Sequence, residues 1–337
     1  MLELTEKEII EKWDPKDTIK VSICCITYNQ EMYIKRALDS FLTQNTSFPF
    51  EIIIGDDASS DNTSKILDEY AKNYPKLITV ISSPKNIGAN ANLLQVFNAA
   101  QGDYIALCEG DDFWCSEDKI SIQYNTMLMD KNISFSFHSA YINKTLSPIK
   151  YTKNKSYFTV EDIIKNSQDQ FCPTASYMFK RNVVKVLPPW FKNASIGDYY
   201  IEIYSLTLGV GLYIDKPMCV YQQMAVNSWS ASISNNLEKL IKSRSSIIEH
   251  DYLTKKDFPL LKSLIDDRIC RTYYIIAKEC LLKKEYAKFD FYLNKLKNKR
   301  IPSDIKNNTK LFLFFRKKPK KLINLIKIKT KLMNMLR

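Results

Sequence analysis

The sequence predicts an α/β fold, a parallel sheet with helices on its faces, continued by a helical extension. Three observations predict it. The first 140 residues alternate short β-branched runs with helical stretches, each of four such runs ends in a polar loop, and from about Asn235 onward the pattern is helical, charged and free of glycine. With 337 residues, 45% hydrophobic and 12% aromatic, the chain can bury a full core as one large domain or two intimate ones.

Residues 1–18 read as an acidic, helix-like leader that lacks the apolar stretch of a secretory signal. The runs Lys20–Thr27, Glu51–Ile54, Leu77–Ile81 and Tyr104–Leu107 read as strands, and residues 31–44, 62–73, 89–100 and 117–129 as the helices around them. Strand and helix in alternation mean a parallel sheet covered by helices. Residues 19–234 form this domain, in two halves, 19–130 and 131–234. The second half holds strand-like Ile133–His138, Ala175–Phe179 and Gly211–Tyr221, and a helix-like run from Asp198 to Leu208. Residues 235–337 are the helical basic extension.

The formal charge of +12 is unevenly placed: from Ile305 to Arg337 there are eleven Lys and Arg and no Asp or Glu, which leaves residues 1–304 at +1. A near-neutral body with a basic tail argues against a phosphate-gripping face, so no nucleic-acid partner is expected. Eight cysteines without regular spacing, with Cys24 and Cys25 inside an apolar run, read as reduced core residues of a cytoplasmic protein. No apolar run approaches the ~20 residues that span a bilayer.

In parallel α/β sheets, ligands sit beyond the carboxyl ends of the strands. Here those ends read Thr27-Tyr28-Asn29-Gln30, Asp56-Asp57-Ala58-Ser59-Ser60-Asp61, Pro84-Lys85-Asn86-Ile87-Gly88 and Glu109-Gly110-Asp111-Asp112. The last places three carboxylates in four residues. Mutual repulsion is relieved by a divalent cation, Mg²⁺ or Mn²⁺, which takes hard oxygen ligands and shares them with a diphosphate; a solvated acidic turn or helix cap before Phe113-Trp114 is the other reading. Asp57 at a strand tip suits a base N–H or ribose hydroxyl, with Asp56 beside it, whereas Asp61 suits a helix cap. Lys85 and Asn86, with helix N-terminal amides, suit phosphates or base. Asp198 opens an aromatic helix, where capping is the local reading, and His138 reads as a core or rim histidine.

Four segments together, Val21-Ser-Ile-Cys-Cys-Ile-Thr-Tyr-Asn29, Ile54-Gly-Asp-Asp-Ala-Ser-Ser-Asp61, Asn86-Ile-Gly88 and Cys108-Glu-Gly-Asp-Asp-Phe-Trp114, resemble the family 2 glycosyltransferases of GT-A fold, of the bacterial surface-polysaccharide type, over roughly residues 19–230. The resemblance implies a nucleotide-binding half, 19–130, in which Thr27, Tyr28, Asn29, Asp57, Lys85 and Asn86, and more weakly Asp56, hold a nucleotide-sugar donor such as a UDP-sugar. It puts the metal motif on Glu109-Gly110-Asp111, with Asp111 the direct ligand and Asp112 beside it. The acceptor half, 131–234, matches at Ile196-Gly-Asp-Tyr-Tyr200, which makes Asp198 the catalytic base of an inverting transfer.

One segment departs from the pattern. Val220-Tyr-Gln-Gln-Met-Ala-Val-Asn-Ser-Trp229 has Gln222, Met224 and Val226-Asn227 where relatives commonly have Arg, His and Gly-Gly. A catalytically silent GT-A assembly subunit is therefore the non-enzyme alternative. A sugar-1-phosphate nucleotidyltransferase would need a Gly-rich basic loop after the first strand, and Thr27–Met32 has neither Gly nor Lys. In the tail, Leu322, Leu325, Ile326, Ile328, Leu332, Met333, Met335 and Leu336 gather on one side of a helical wheel with Lys327 and Lys331 opposite, which favours an anionic membrane surface. A peripheral position on the inner face of the membrane and a glycan or lipid-linked glycan acceptor follow from that reading.

Overall fold

The computed structural model describes residues 4–143, 148–150, 155–166, 171–226, 233 and 236–325. The chain divides into two compact units, Met1–Ala231 and Ser232–Arg337. The strands of the first are β1 (Val21–Thr27), β2 (Phe50–Asp56), β3 (Ile78–Ser82), β4 (Tyr104–Leu107), β5 (Phe113–Trp114), β6 (Ile133–Ile142), β7 (Tyr157–Phe158), β8 (Met178–Lys180) and β9 (Val210–Tyr221). Its helices are α1 (Glu6–Ile10), α2 (Ile34–Leu42), α3 (Thr63–Asn73), α4 (Ala89–Ala99), α5 (Lys119–Met129), α6 (Val160–Asn166) and α7 (Asp198–Ser205).

The strands form one sheet in the order β3-β2-β1-β4-β8-β6-β9-β5, with β7 on β9. Strands β1 and β2 are buried along their whole length, which is why VSICCIT and FEIIIGD read as nearly unbroken apolar runs. The parallel register sets Thr27 opposite Asp56 and Asp56 opposite Ser82, so three strand tips end at one level and their loops emerge together. Beyond β4 the direction changes, because β8 runs antiparallel to both β4 and β6. Ile23, Ile52 and Ile54 pack with Phe41 and Leu67 in the main core.

Two stretches differ from the sequence expectation. Within Ala175–Phe179 only Met178 and Phe179 lie in a strand, β8, because Thr174–Ser176 after Pro173 closes a tight helical turn first. Phe113-Trp114, to which the sequence reading gives no element, pairs as β5 with Val220 and Cys219, a contact no local signal carries. The leader folds onto the same unit. Thr5 and Glu8 form a capping box, Glu6 accepts from the N–H of Lys76 and Leu77, and the Trp13 indole donates to Thr46 at 2.9 Å.

The second unit is helical: α8 (Leu237–Asp257), α9 (Lys262–Leu282), α10 (Tyr286–Asn294) and α11 (Ser303–Phe314). Asn236 caps α8 by accepting from the Lys239 N–H at 3.0 Å. Helices α8 and α9 are joined by an ion pair between Arg268 and Asp251, 3.1 Å apart and both side chains 0% exposed. Phe312 of α11 stacks on Tyr274 and meets Phe289 edge-on. Among the described residues no helix is long and apolar enough to cross a membrane. Residues 326–337, with Ile326, Ile328, Leu332, Met333, Met335 and Leu336 of the expected amphipathic helix, lie outside the described residues, as do Asn227 and Trp229.

Candidate active site

A crevice of about 370 Å³ opens at the strand tips. Its walls come from both halves of the first unit: Thr27 and Tyr28 after β1, Asp57 after β2, Asn86 after β3, Glu109 and Asp111 after β4, and Ser195–Asp198 with Tyr221 and Gln222 from the second half.

The acid turn is held tightly against β1. The N–H of Gly110 donates to the Ile26 carbonyl and that of Asp112 to the Glu109 carbonyl, both at 3.0 Å. A Cβ at Gly110 would lie 2.5 Å from the Gln30 side-chain oxygen and 3.0 Å from the Thr27 Cβ, so only glycine lets the turn approach so closely. Glu109 is pushed up to about 8 by burial and then by the negative charges of Asp111 and Asp198, against the opposing Thr174 hydroxyl. Burial also raises Asp111, against hydrogen bonds from its own N–H and from Gln30. Asp112 is buried and is not on the crevice wall. Its Oδ1 accepts from the Gln222 N–H at 2.7 Å, tying the acid turn to the end of β9, and burial raises it strongly, with Asp111 and Glu109 adding repulsion.

The other predicted residues divide in the same way. Asp57 lines the crevice while its two oxygens accept from the N–H groups of Ile87 and Gly88, at 2.7 and 2.9 Å, which fixes the loop carrying Asn86. Asp56 accepts from the hydroxyls of Ser59 and Ser64 and shapes the loop after β2. Asn29, in a left-handed backbone with φ 52°, accepts from the Ser60 N–H at 2.7 Å and is not on the crevice wall. Lys85 is exposed and also off the wall. Asp61 accepts from the Thr63 N–H at the start of α3 and from the Glu31 N–H.

Asp198 is the first residue of α7, and the capping position itself belongs to Gly197. The carboxylate accepts from the Tyr199 N–H at 2.8 Å and lines the crevice. A Cβ at Gly197 would lie 2.3 Å from the Asn90 side-chain oxygen, and Asn90 donates to the carbonyls of Phe191 and Ala194, so the start of α4 holds the loop that presents Asp198. Met224, where relatives commonly have His, is half-exposed at φ 62° and off the wall, whereas Gln222 is on it. His138 is fully buried, its Nδ1 2.8 Å from the Ser139 carbonyl. All eight cysteines are unbridged, and only Cys115 is exposed.

Sequence reasoning missed three buried groups. Thr174 stands on the crevice wall against Glu109. Glu202 is fully buried one turn after Asp198 and is pushed up to about 8, by burial first and also by the charge of Asp198, against hydrogen bonds from Tyr177, Phe171 and Cys172. Lys119 lies 4.1 Å over the Trp114 ring and is lowered to about 7 by burial. A carboxylate inside Tyr199-Tyr-Ile-Glu-Ile-Tyr204, which offers no polar face, was the signal available for Glu202.

The family model described as Glycosyl transferase family 2 matches residues 22–187. The Escherichia coli protein WfgD, a UDP-Glc:alpha-D-GlcNAc-diphosphoundecaprenol beta-1,3-glucosyltransferase, is 33% identical over 282 residues, 82% of this chain and 98% of WfgD. The chain belongs to glycosyl transferase family 2. This family 2 chain is also 33% identical to an uncharacterised Mycobacterium tuberculosis protein, Rv1520, over 222 residues, 64% of this chain and 62% of that one. It thus spans less than two thirds of that relative's length. Among solved structures, Staphylococcus aureus TarS residues 1–349 in complex with UDP-GlcNAc superposes with a TM-score of 0.56 at 15% identity, covering 82% of this chain and 80% of TarS 1–349. The likeness establishes the fold, an α/β GT-A sheet followed by a helical region.

Proposed function

We propose that the chain is an inverting glycosyltransferase that passes a sugar from a UDP-sugar to a hydroxyl of a glycan or lipid-linked glycan in bacterial cell-surface polysaccharide synthesis. The observation that carries this reading is the convergence of Glu109, Asp111 and Asp198 in one crevice whose other wall is Thr27, Tyr28, Asp57 and Asn86. WfgD, whose name describes transfer from UDP-Glc to a diphosphoundecaprenol-linked sugar, supports both the donor and the acceptor class.

In this reading Asp198 accepts the proton of the acceptor hydroxyl as that oxygen attacks the anomeric carbon. The bond from that carbon to the donor phosphate oxygen breaks on the opposite face, so the configuration inverts. Asp57 and the loop it holds bind the nucleoside end, and Gln222 offers a polar group where the pattern of relatives changes.

A divalent cation fits the acid turn. Glu109 and Asp111 are hard oxygen donors crowded on one half-buried wall, and burial, then the charge of Asp111, raises Glu109. Among the described residues no group of three or more His, Cys, Asp or Glu side chains could hold an ion by itself. Glu109 and Asp111 would instead hold Mn²⁺ or Mg²⁺ together with diphosphate and water oxygens, the usual habit of these ions. When bound, the ion supplies positive charge against the leaving diphosphate. Asp112, bonded to Gln222, keeps the turn in place.

The test is calorimetric titration of UDP with and without Mn²⁺ into the wild-type chain and Asp111→Asn. The expected result is Mn²⁺-dependent binding that the substitution abolishes without loss of fold. Equal Mn²⁺-dependent affinity in both proteins would remove Asp111 from the site.

The basic tail is read as a peripheral contact with an anionic inner membrane face. On α11 and just beyond it, Lys306, Lys310, Leu311, Phe314, Lys317 and Lys318 are exposed, with Phe314 at 81%. Exposed aromatics interleaved with lysines suit a headgroup layer.

A further inference from the structure

Helix α7 carries a second carboxylate that the reading of Asp198 leaves unused. Glu202 follows Asp198 by four residues, so both leave the same side of the helix, yet Asp198 reaches the crevice and Glu202 is fully buried. Glu202 accepts from the N–H of Phe171 at 2.9 Å, the N–H of Cys172 at 3.2 Å and the hydroxyl of Tyr177 at 2.5 Å. These donors stand at the two ends of one short segment. Between them lies Thr174, which lines the crevice and gives its hydroxyl to Glu109.

The rest of the segment is fixed as closely. The Trp114 indole donates to the Ala175 carbonyl at 2.9 Å, the Gln123 amide to the Ser176 carbonyl at 3.0 Å, and the Leu107 N–H to the Tyr177 carbonyl at 3.2 Å. A continuous bonded path therefore runs from α7, which presents the base, through Phe171–Tyr177 to the acid turn. Burying a carboxyl in an aromatic helix is costly where leucine would fill the space, and here three donors and the segment that carries them are what it holds.

We propose that Glu202 is a positioning residue: by holding Phe171–Tyr177 against α7 it keeps Thr174 bonded to Glu109, and so sets the acid turn in the arrangement that receives a cation and the donor diphosphate. The proposal rests on the glycosyltransferase reading of the crevice and extends it to a residue that touches neither substrate nor ion.

Two substitutions interrupt the path at different points. Glu202→Leu removes the acceptor for three donors, and Thr174→Val removes the hydroxyl with little change of shape. The probe is Mn²⁺ binding in the presence of saturating UDP, dTDP or GDP, whichever the wild-type chain binds. Losing one hydrogen bond to a charged group corresponds to a loss of ~10-fold or more in affinity. Each variant is expected to weaken Mn²⁺ by about that factor, and the double variant by no more than the worse single one, because both act through one path. Glu202→Gln, which still accepts through its carbonyl oxygen, and Thr174→Ser should restore Mn²⁺ affinity to within about 3-fold.

Lower thermal stability of Glu202→Leu with unchanged Mn²⁺ affinity of the folded protein would make Glu202 a packing residue and overturn the proposal. So would losses that add in the double variant. If the wild-type chain binds none of the three nucleotides with Mn²⁺, the reading of the crevice fails and the positioning role falls with it. Thr174→Val, which leaves the core intact, keeps the question open to measurement should Glu202→Leu not fold.

Discussion

In the helical unit the buried acid Asp251 faces a buried cation, Arg268, whereas in the sheet unit buried Asp112 and Glu202 and half-buried Glu109 and Asp111 meet amide and hydroxyl donors. The contrast separates two uses of buried charge. An ion pair sealed between α8 and α9 compensates charge with charge, and its removal matters to folding. Acids crowded near the strand tips and held, among the described residues, by amide and hydroxyl donors are costly until a proton or a bound ion compensates, and such crowding is a usual signature of a site built for a ligand.

The largest expected effect tests the functional side of this contrast. Asp198→Asn should cut transfer by roughly 10²–10⁴-fold, with donor affinity and melting temperature close to wild type, since Asn keeps the shape and loses only the proton acceptor. Steady-state transfer with the donor identified by binding reads this directly. Undiminished transfer would class Asp198 with the structural acids.

The structural side is tested next. Arg268→Met removes the guanidinium that faces buried Asp251 and should lower stability by about 3–5 kcal/mol, whereas Arg268→Met with Asp251→Leu should recover most of that. Urea unfolding of the three proteins measures it. A mild Arg268→Met would show that Asp251 finds other compensation, and the distinction between the units would weaken.

A smaller effect lies in the pH dependence. Glu202 and Glu109 rise from the ordinary 4.5 to about 8 in the folded chain, so between these values the folded state holds protons that the unfolded state has released. Stability should therefore fall as pH rises from about 5 to 8, by up to about 1.4 kcal/mol per pH unit for each group. Glu202→Gln should flatten the decline in melting temperature over that range. An identical slope in the variant would mean that Glu202 is not titrating there.

The smallest effect concerns the exposed face of α11. Lys310→Gln should weaken sedimentation with phosphatidylserine vesicles by ~1 kcal/mol, about fivefold, and the difference should shrink in high salt. Equal binding of the variant, with equal salt dependence, would take α11 off the membrane and leave its charge as a solvated face.

Much of the fold was legible because it is written locally. The apolar runs that became β1 to β4 and the periodic stretches that became α2 to α5 sit within a few residues of where sequence pattern puts them, since burial on both faces dictates composition along each strand. The acid turn and Asp198 were legible as crevice residues because carboxylates at strand ends and helix starts are conspicuous in one dimension.

What each carboxylate does was decided only in three dimensions. Asp57 binds amides 30 and 31 residues away, Asp112 an amide 110 residues away, and Glu202 the ends of a segment 25 to 31 residues before it. Neighbours in sequence thus part company: Asp111 faces the crevice while Asp112 clamps β9, and Asn86 is on the wall while Lys85 is in solvent. The sequence by itself determined the sheet, its helices and the residues capable of the chemistry, because hydrophobic periodicity and residue type are local properties. The tertiary structure alone decided which acids face the crevice and which hold the frame, because a buried carboxylate is oriented by whichever amide or hydroxyl the packed chain brings to it.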